Sequence, residues 1–381
     1  MCVGNNGIVV GDLILKGGGD PWLVKERFWL LLRELRQRGI QRIEGDLVID
    51  DSLFDDAAIA RHTLDGRVHR AYNTRPSAVL TNFAVTLFRI RRTGEKLAVD
   101  VEPPAVTLRV QNQVIPLSGT CAGRIGGIKM DVVSQGPEQT TVRFHGKYPP
   151  TCGEHRRLRR VLPHHQYVYG LFRSLWEEMG GSQTGGWRTG QVPEKARLWV
   201  NFKSVPLSAV TRNINKYSNN VMAEAILKTL GAADYGYPGT ASKGLAVVAK
   251  FRNEALGTSL TNYVQADGSG LSNLNRVSPR QVVELLQHAH SDFHFGPEFV
   301  SSMKISGMDG FNPRPFRDPP LVGELRLKSG HIRGVNTLSG YAHAESGRTV
   351  AFCIMINGHK SQQWEIDLRV AELSKIIRSS Y

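Results

Sequence analysis

The chain has 381 residues, 41% hydrophobic and 22% charged, an ordinary balance for a globular protein and enough length for two or three buried cores. No apolar run reaches the roughly eighteen residues a membrane-spanning helix needs, which excludes an expected transmembrane segment. Lysine and arginine outnumber aspartate and glutamate 48 to 34, a net charge of +14, which draws polyanions of any kind; with no RNP, zinc-finger or basic-zipper pattern, nucleic acid is not an expected partner.

The N-terminal "MCVGNNGIVVGDLILKGGGDP" lacks a basic region followed by an apolar one, so no signal peptide is expected in this chain. Residues 24–38, "VKERFWLLLRELRQR", carry apolar positions at helical spacing and stop before Gly39. A strand is expected in "IEGDLVIDDSLFD". From about 75 to 150 the sequence reads as short strands broken by Pro, Gly and Asn, without helices. Cys121 and Cys152 flank a β-rich part of this region and are able to pair in an oxidising compartment. The densest cationic run, "HRRLRRVLPHH" at 155–165, reads first as a solvated face.

Helices are expected again at 166–179, ended by Gly180 and Gly181, and through "SNNVMAEAILKTLG", with Ser218 or Asn219 at its start and Gly231 at its end. "SPRQVVELLQHA" opens with Ser278 as cap, Pro279 in the first turn and Gln281 three residues after the cap. Strands follow at about 324–328, 332–342 and 349–357, and "EIDLRVAELSKIIRS" closes the chain as an amphipathic helix. His288, His290 and His294 crowd one helix end but lack a fourth ligand or a suitably spaced glutamate, so no metal is expected.

Two short motifs carry chemistry. "YSNN" at 217–220 opens a helix, and "KSG" at 328–330 interrupts strand-like sequence more than a hundred residues later. Together they make two thirds of the set Ser-x-x-Lys, Ser-x-Asn and Lys-Thr-Gly of serine acyl-transferases. "GDLILKGGGDPWL", "GDLVIDDSLFD", "INKYSNNVMAE", "DGSGLSNLNRVSP", "SGMDG" and "KSGHIRGVNTLSGY" follow in the same order. With them the chain resembles, from about residue 8 to 358, the class C low-molecular-mass penicillin-binding proteins of the D-alanyl-D-alanine carboxypeptidase/endopeptidase type.

The resemblance implies an α/β fold: a β-lactamase/transpeptidase-like domain, an antiparallel sheet with flanking helices, carrying inserted small domains. The expected divisions are a small α/β insert at 1–60, a β-rich insert at 61–158 and the penicillin-binding domain at 159–381. It implies that Ser218 relays a proton to the leaving amine, that Asn220 holds the substrate amide, and that Lys328 places positive charge near the substrate carboxylate. Ser329, where the family usually has Thr, would donate to that carboxylate. Gly330 would let the peptide approach an edge strand, and the His331 backbone N–H would serve the oxyanion. Asp267, Gly268 and Ser269 of "DGSGLS" would form a tight turn beside the cleft. Asn273, Phe311, Asn312, His331 and Arg333 depart from the commoner residues, which bears on substrate recognition.

Peptidoglycan stem peptides and β-lactams are the implied partners, with no cofactor and an extracytoplasmic location for the full-length protein. The family's Ser-x-x-Lys lies upstream of "GDLILKGGGDP", and this chain begins just before that stretch, so the chain as it stands is expected to be inert toward acylation. Its single Ser-x-x-Lys, Ser301 to Lys304, falls between the other motifs and is read as a decoy. The second reading is a non-catalytic relative that grips peptidoglycan through its basic surface.

Overall fold

A computed structural model describes residues 7–55, 68–118, 121, 127–136, 138–256, 262–310, 314–317, 319–358 and 362–380. The chain forms two compact units, whose described parts are 7–55 with 68–204, and 205–380.

The first unit begins with β1 (Ile8–Val9), β2 (Leu13–Lys16), α1 (Lys25–Gln37), β3 (Arg42–Ile43) and β4 (Leu47–Asp50). Five long strands follow: β5 (Thr86–Thr93), β6 (Lys96–Glu102), β7 (Leu108–Pro116), β8 (Ile128–Gln135) and β9 (Thr140–Tyr148). Then come β10 (His155–Arg159), α2 (His164–Glu178), β11 (Ser182–Gln183) and β12 (Trp187–Thr189). Four three-stranded sheets result, ordered β1-β3-β11, β2-β4-β12, β10-β5-β6 and β7-β9-β8.

The apolar stripe of α1, Phe28, Leu31, Leu32 and Leu35, and the buried face of α2, Tyr167, Leu171, Phe172 and Trp176, enter one core with Phe88 of β5 and Phe144 of β9. The Phe88 and Phe144 rings stand 5.0 Å apart. The sequence division expected at 158/159 therefore cuts through a packed region, because burying the large aromatic face of α2 holds residues 164–204 with what precedes them.

Cys121 and Cys152 form a disulfide with a 4.8 Å Cα separation. It closes a loop spanning 31 residues, and chain-entropy arguments give such a closure about 3–4 kcal/mol. Reduction, or Cys121→Ala with Cys152→Ala, is expected to lower unfolding stability by about that amount, measured by denaturant titration with and without reductant.

The second unit contains α3 (Leu207–Tyr217), α4 (Asn220–Tyr235), α5 (Ala241–Phe251), α6 (Pro279–Ser291) and α7 (Gly296–Ser302). One antiparallel sheet follows, in the order β13 (Lys304–Ile305), β14 (Leu325–Ile332), β15 (Val335–His343) and β16 (Thr349–Asn357), and α8 (Gln363–Ser380) closes the chain. Leu325, Leu327, Leu338 and Phe352 pack with Ile366, Val370 and Ala371 of α8. Ser278 and Gln281 form the expected capping box of α6.

Two expectations need correction here. Gly231 does not end a helix: α4 runs on to Tyr235. Its role is close packing, since a Cβ on Gly231 would stand 2.7 Å from the Gly244 nitrogen, and one on Gly244 would stand 2.1 Å from the Leu227 carbonyl. The two glycines let α4 and α5 cross backbone to backbone. Nor does Lys-Ser-Gly break a strand: β14 runs unbroken through residues 328–330 to Ile332, and the turn comes after it.

Candidate active site

Ser218 is the C-cap of α3 and, with Asn219, one of the two residues between α3 and α4; it sits in the left-handed region at φ 53°, ψ 49°. A non-glycine residue there costs about 1 kcal/mol, and the conformation lets α3 end and α4 begin after one further residue, Asn219. The α4 cap is Asn219, whose side chain accepts from the Met222 N–H at 3.2 Å. N-capping of α4 therefore accounts for neither Ser218 nor Asn220. The Asn220 side-chain amide has no hydrogen-bond partner among the described residues.

Opposite stands Lys328. Its Nζ donates to Ser218 Oγ at 2.6 Å and to the Ser329 carbonyl at 2.8 Å. The β13 strand pairs with β14 only at Arg326 and Leu327, while β15 pairs with it along its whole length. From Lys328 to Ile332 the outer side of β14 therefore has no strand partner among the described residues, and an extended peptide could add there. Burial, followed by the nearby Lys304 ammonium, pushes the Lys328 pKa down to about 8.

What holds the hydroxyl to the strand is a feature the sequence reading missed. Lys216 on α3 is buried; its Nζ donates to the Met303 carbonyl at 2.8 Å and pairs with the Asp309 carboxylate. Asp309 also accepts from the Ile305 N–H at 2.7 Å, and Asn215 Nδ2 donates to Ser302 Oγ at 2.7 Å. The last turn of α3 is thus pinned to β13, which pairs with β14 one residue before Lys328. A lysine two positions before a polar motif looks solvent-facing in sequence; only the carboxylate of "SGMDG" hinted at a partner.

The other expected residues divide. The Ser329 hydroxyl has no hydrogen-bond partner among the described residues. Gly330 has a cause inside the protein: a Cβ there would stand 2.5 Å from Thr337 Oγ1 on β15. Gly330→Ala is expected to cost about 1–3 kcal/mol of stability, largely regained when Thr337→Ala is added, as read by denaturant titration. Were substrate clearance its sole cause, stability would not change.

The exposed His331 ring lies 3.3 Å from Asn336 Oδ1, and Arg333 is exposed in the following turn. Asp267 faces its own turn, accepting from the N–H groups of Gly270 and Ser272, both at 2.8 Å, from Asn275 Nδ2 at 3.0 Å and from Ser269 Oγ at 3.3 Å. It shapes the turn and leaves no carboxylate edge for a substrate. Gly268 docks that turn on α4, its N–H 3.3 Å from Glu224 Oε1. Asn273 lies in the same turn, its carbonyl accepting from Arg276. Phe311 and Asn312 fall outside the described residues.

Ser301 and Lys304 do not share a helical face: α7 ends at Ser302, and Lys304 lies on β13. Ser301 Oγ donates to the Glu298 carbonyl. The three histidines go to separate neighbours: His288 to Phe251 and Phe295, His290 to Tyr341, and His294 to Phe293.

A helix-flanked antiparallel sheet with a lysine at a strand margin facing a serine between helices is the architecture of penicillin-binding, transpeptidase-like proteins, here with additional domains. The structure matches the crystal structure of penicillin binding protein 4 (dacB) from Haemophilus influenzae with a TM-score of 0.78, at 24% identity, over 98% of this chain and 84% of that one. The same protein complexed with a novel β-lactam matches at a TM-score of 0.72.

Residues 3–373 match the D-Ala-D-Ala carboxypeptidase 3 (S13) family, and the chain belongs to that family. Its relatives include the D-alanyl-D-alanine carboxypeptidase DacB of Haemophilus influenzae, 26% identical over 99% of this chain and 78% of its own length. The D-alanyl-D-alanine carboxypeptidase of Actinomadura sp. (strain R39) is 28% identical over 95% of this chain and 70% of its own length.

Proposed function

We propose that the second unit carries the recognition and proton-relay part of a serine-type D-alanyl-D-alanine carboxypeptidase/endopeptidase that acts on peptidoglycan stem peptides outside the cytoplasm through an acyl-serine intermediate. The observation that carries this reading is the 2.6 Å contact of Lys328 Nζ with Ser218 Oγ at the open margin of β14. A substrate laid along that margin pairs with β14. Its terminal carboxylate meets the Lys328 ammonium and the Ser329 hydroxyl, and Asn220 takes its amide. Because the ammonium donates to Ser218 Oγ, the Ser218 proton is directed away from Lys328 and toward a departing amine. The His331 N–H serves the oxyanion. Family membership and the D-alanyl-D-alanine carboxypeptidases among the relatives support this assignment, and the β-lactam complex of the Haemophilus protein supports β-lactams as ligands of the same groove.

A second reading, a non-catalytic peptidoglycan-binding relative, is favoured by the placement of Ser301 and Lys304 on different elements, which leaves the one Ser-x-x-Lys of these 381 residues without its helical geometry. Acylation needs a serine activated by an adjacent base. Incubation with a fluorescent penicillin followed by denaturing electrophoresis tests this. These 381 residues are expected to remain unlabelled while still binding the ligand reversibly. A covalent band would overturn their inertness, and mapping the band would name the nucleophile.

A further inference from the structure

The first unit holds a concentration of positive charge with no part in the site above. The strand β10, "HRRLR", is an edge strand of the sheet β10-β5-β6. Alongside its end runs the segment 68–72, tied to it by the Arg160 N–H donating to the His69 carbonyl at 3.0 Å and by His69 Nδ1 at 3.1 Å from the Arg160 carbonyl. Between strand and segment lies an open cavity of about 570 Å³ whose lining, among the described residues, includes Arg70, Tyr72, His155, Arg156, Arg157 and Arg159 and no carboxylate.

The nearest acid on the strand's own connection, Glu154, pairs with Arg156 at 3.5 Å. Arg157 is half-buried and bonded to the Ile128 carbonyl, and its Nε lies 2.9 Å from His155 Nε2. Burial, and after it the charges of Arg157 and Arg159, lower the His155 pKa. Burial and then Arg70 lower that of Arg157. The cations already repel one another.

From this geometry we propose that the cavity between β10 and residues 68–72 binds a linear phosphate-bearing polyanion. Three features select that class. Residues of a strand rise about 3.3 Å each, so the lining arginines of β10, from Arg156 to Arg159, spread over about 10 Å and offer a track, not a single point. Among the described residues every lining cation is arginine, whose planar fork pairs two oxygens at once and suits phosphate. The four lining arginines, one of them paired with Glu154, spread their charge along the cavity, which successive phosphates match better than one small anion does.

The test is fluorescence anisotropy of the full chain with labelled linear polyphosphate, against orthophosphate, polyglutamate and duplex DNA as competitors. Arg70→Gln with Arg156→Gln is the site variant. Lys195→Gln with Lys250→Gln, at exposed positions elsewhere, removes the same charge. Circular dichroism melts check folding of both. The site variant is expected to weaken polyphosphate binding at least tenfold and the control less than twofold, with affinity falling as salt rises. Equal losses in both variants would reduce the effect to net charge and overturn the proposal. Preference for polyglutamate or duplex DNA, or full competition by orthophosphate at equal total phosphate, would overturn it as well.

Discussion

Lys328→Met is expected to weaken binding of a peptide ending in D-alanyl-D-alanine at least about thirtyfold, the effect of truncating one partner of a desolvated charge pair. Isothermal titration of the 381-residue chain with such a peptide measures it. The pH dependence carries a sign that a purely structural role would not give. Burial first, then Lys304, brings the Lys328 ammonium down to about 8, so the cation is present below that pH and lost above it. Affinity for the free-carboxylate peptide should fall as pH rises through about 8, whereas the same peptide ending in an amide should bind weakly with no such step. Stability moves the other way. The folded pKa lies below the ordinary lysine value of 10.5, so the charged form opposes folding, and stability contributed at this residue rises as pH climbs from about 8 toward 10.5. Flat affinity for the carboxylate peptide across that range would remove Lys328 from substrate recognition.

Asp309→Asn should lower unfolding stability by about 3 kcal/mol, because it strands the Lys216 ammonium in a buried position. Urea titration gives the number. The same change should weaken peptide binding, since Lys216 pins the helix end that carries Ser218 to β13. Replacing both partners, Lys216→Met with Asp309→Leu, should recover most of the stability, as removing a buried pair together avoids an uncompensated charge. If the double variant is no better than Asp309→Asn, the pair does more than neutralise itself.

Elements with a strong local signature were legible in the sequence. The apolar stripe of α1 and the Ser278–Gln281 capping box each rest on residues within a few positions of one another, and both stand where periodicity put them. The Ser218–Lys328 pairing was legible only through the order of the long motifs, because no local rule connects residues so far apart. Three things escaped. Gly231 looked like a helix end, and its partner Gly244 belongs to a different helix. The Asp267 carboxylate is spent on its own turn, and a turn's internal hydrogen bonds do not show in residue order. The Lys216–Asp309 clamp is a tertiary event between two residues that each read as solvated.

The outer margin of β14 beyond Leu327 also has a bearing on solubility. An unpaired strand edge presents backbone donors and acceptors to any passing chain and is a template for edge-to-edge association. Lys328 sits at the start of that stretch, and Arg333 lies just past its end. Two separated molecules meeting there would bring like charges together, so the cation proposed for recognition also discourages self-pairing. Light scattering of Lys328→Met should accordingly show a concentration-dependent rise in mass that the unaltered chain lacks.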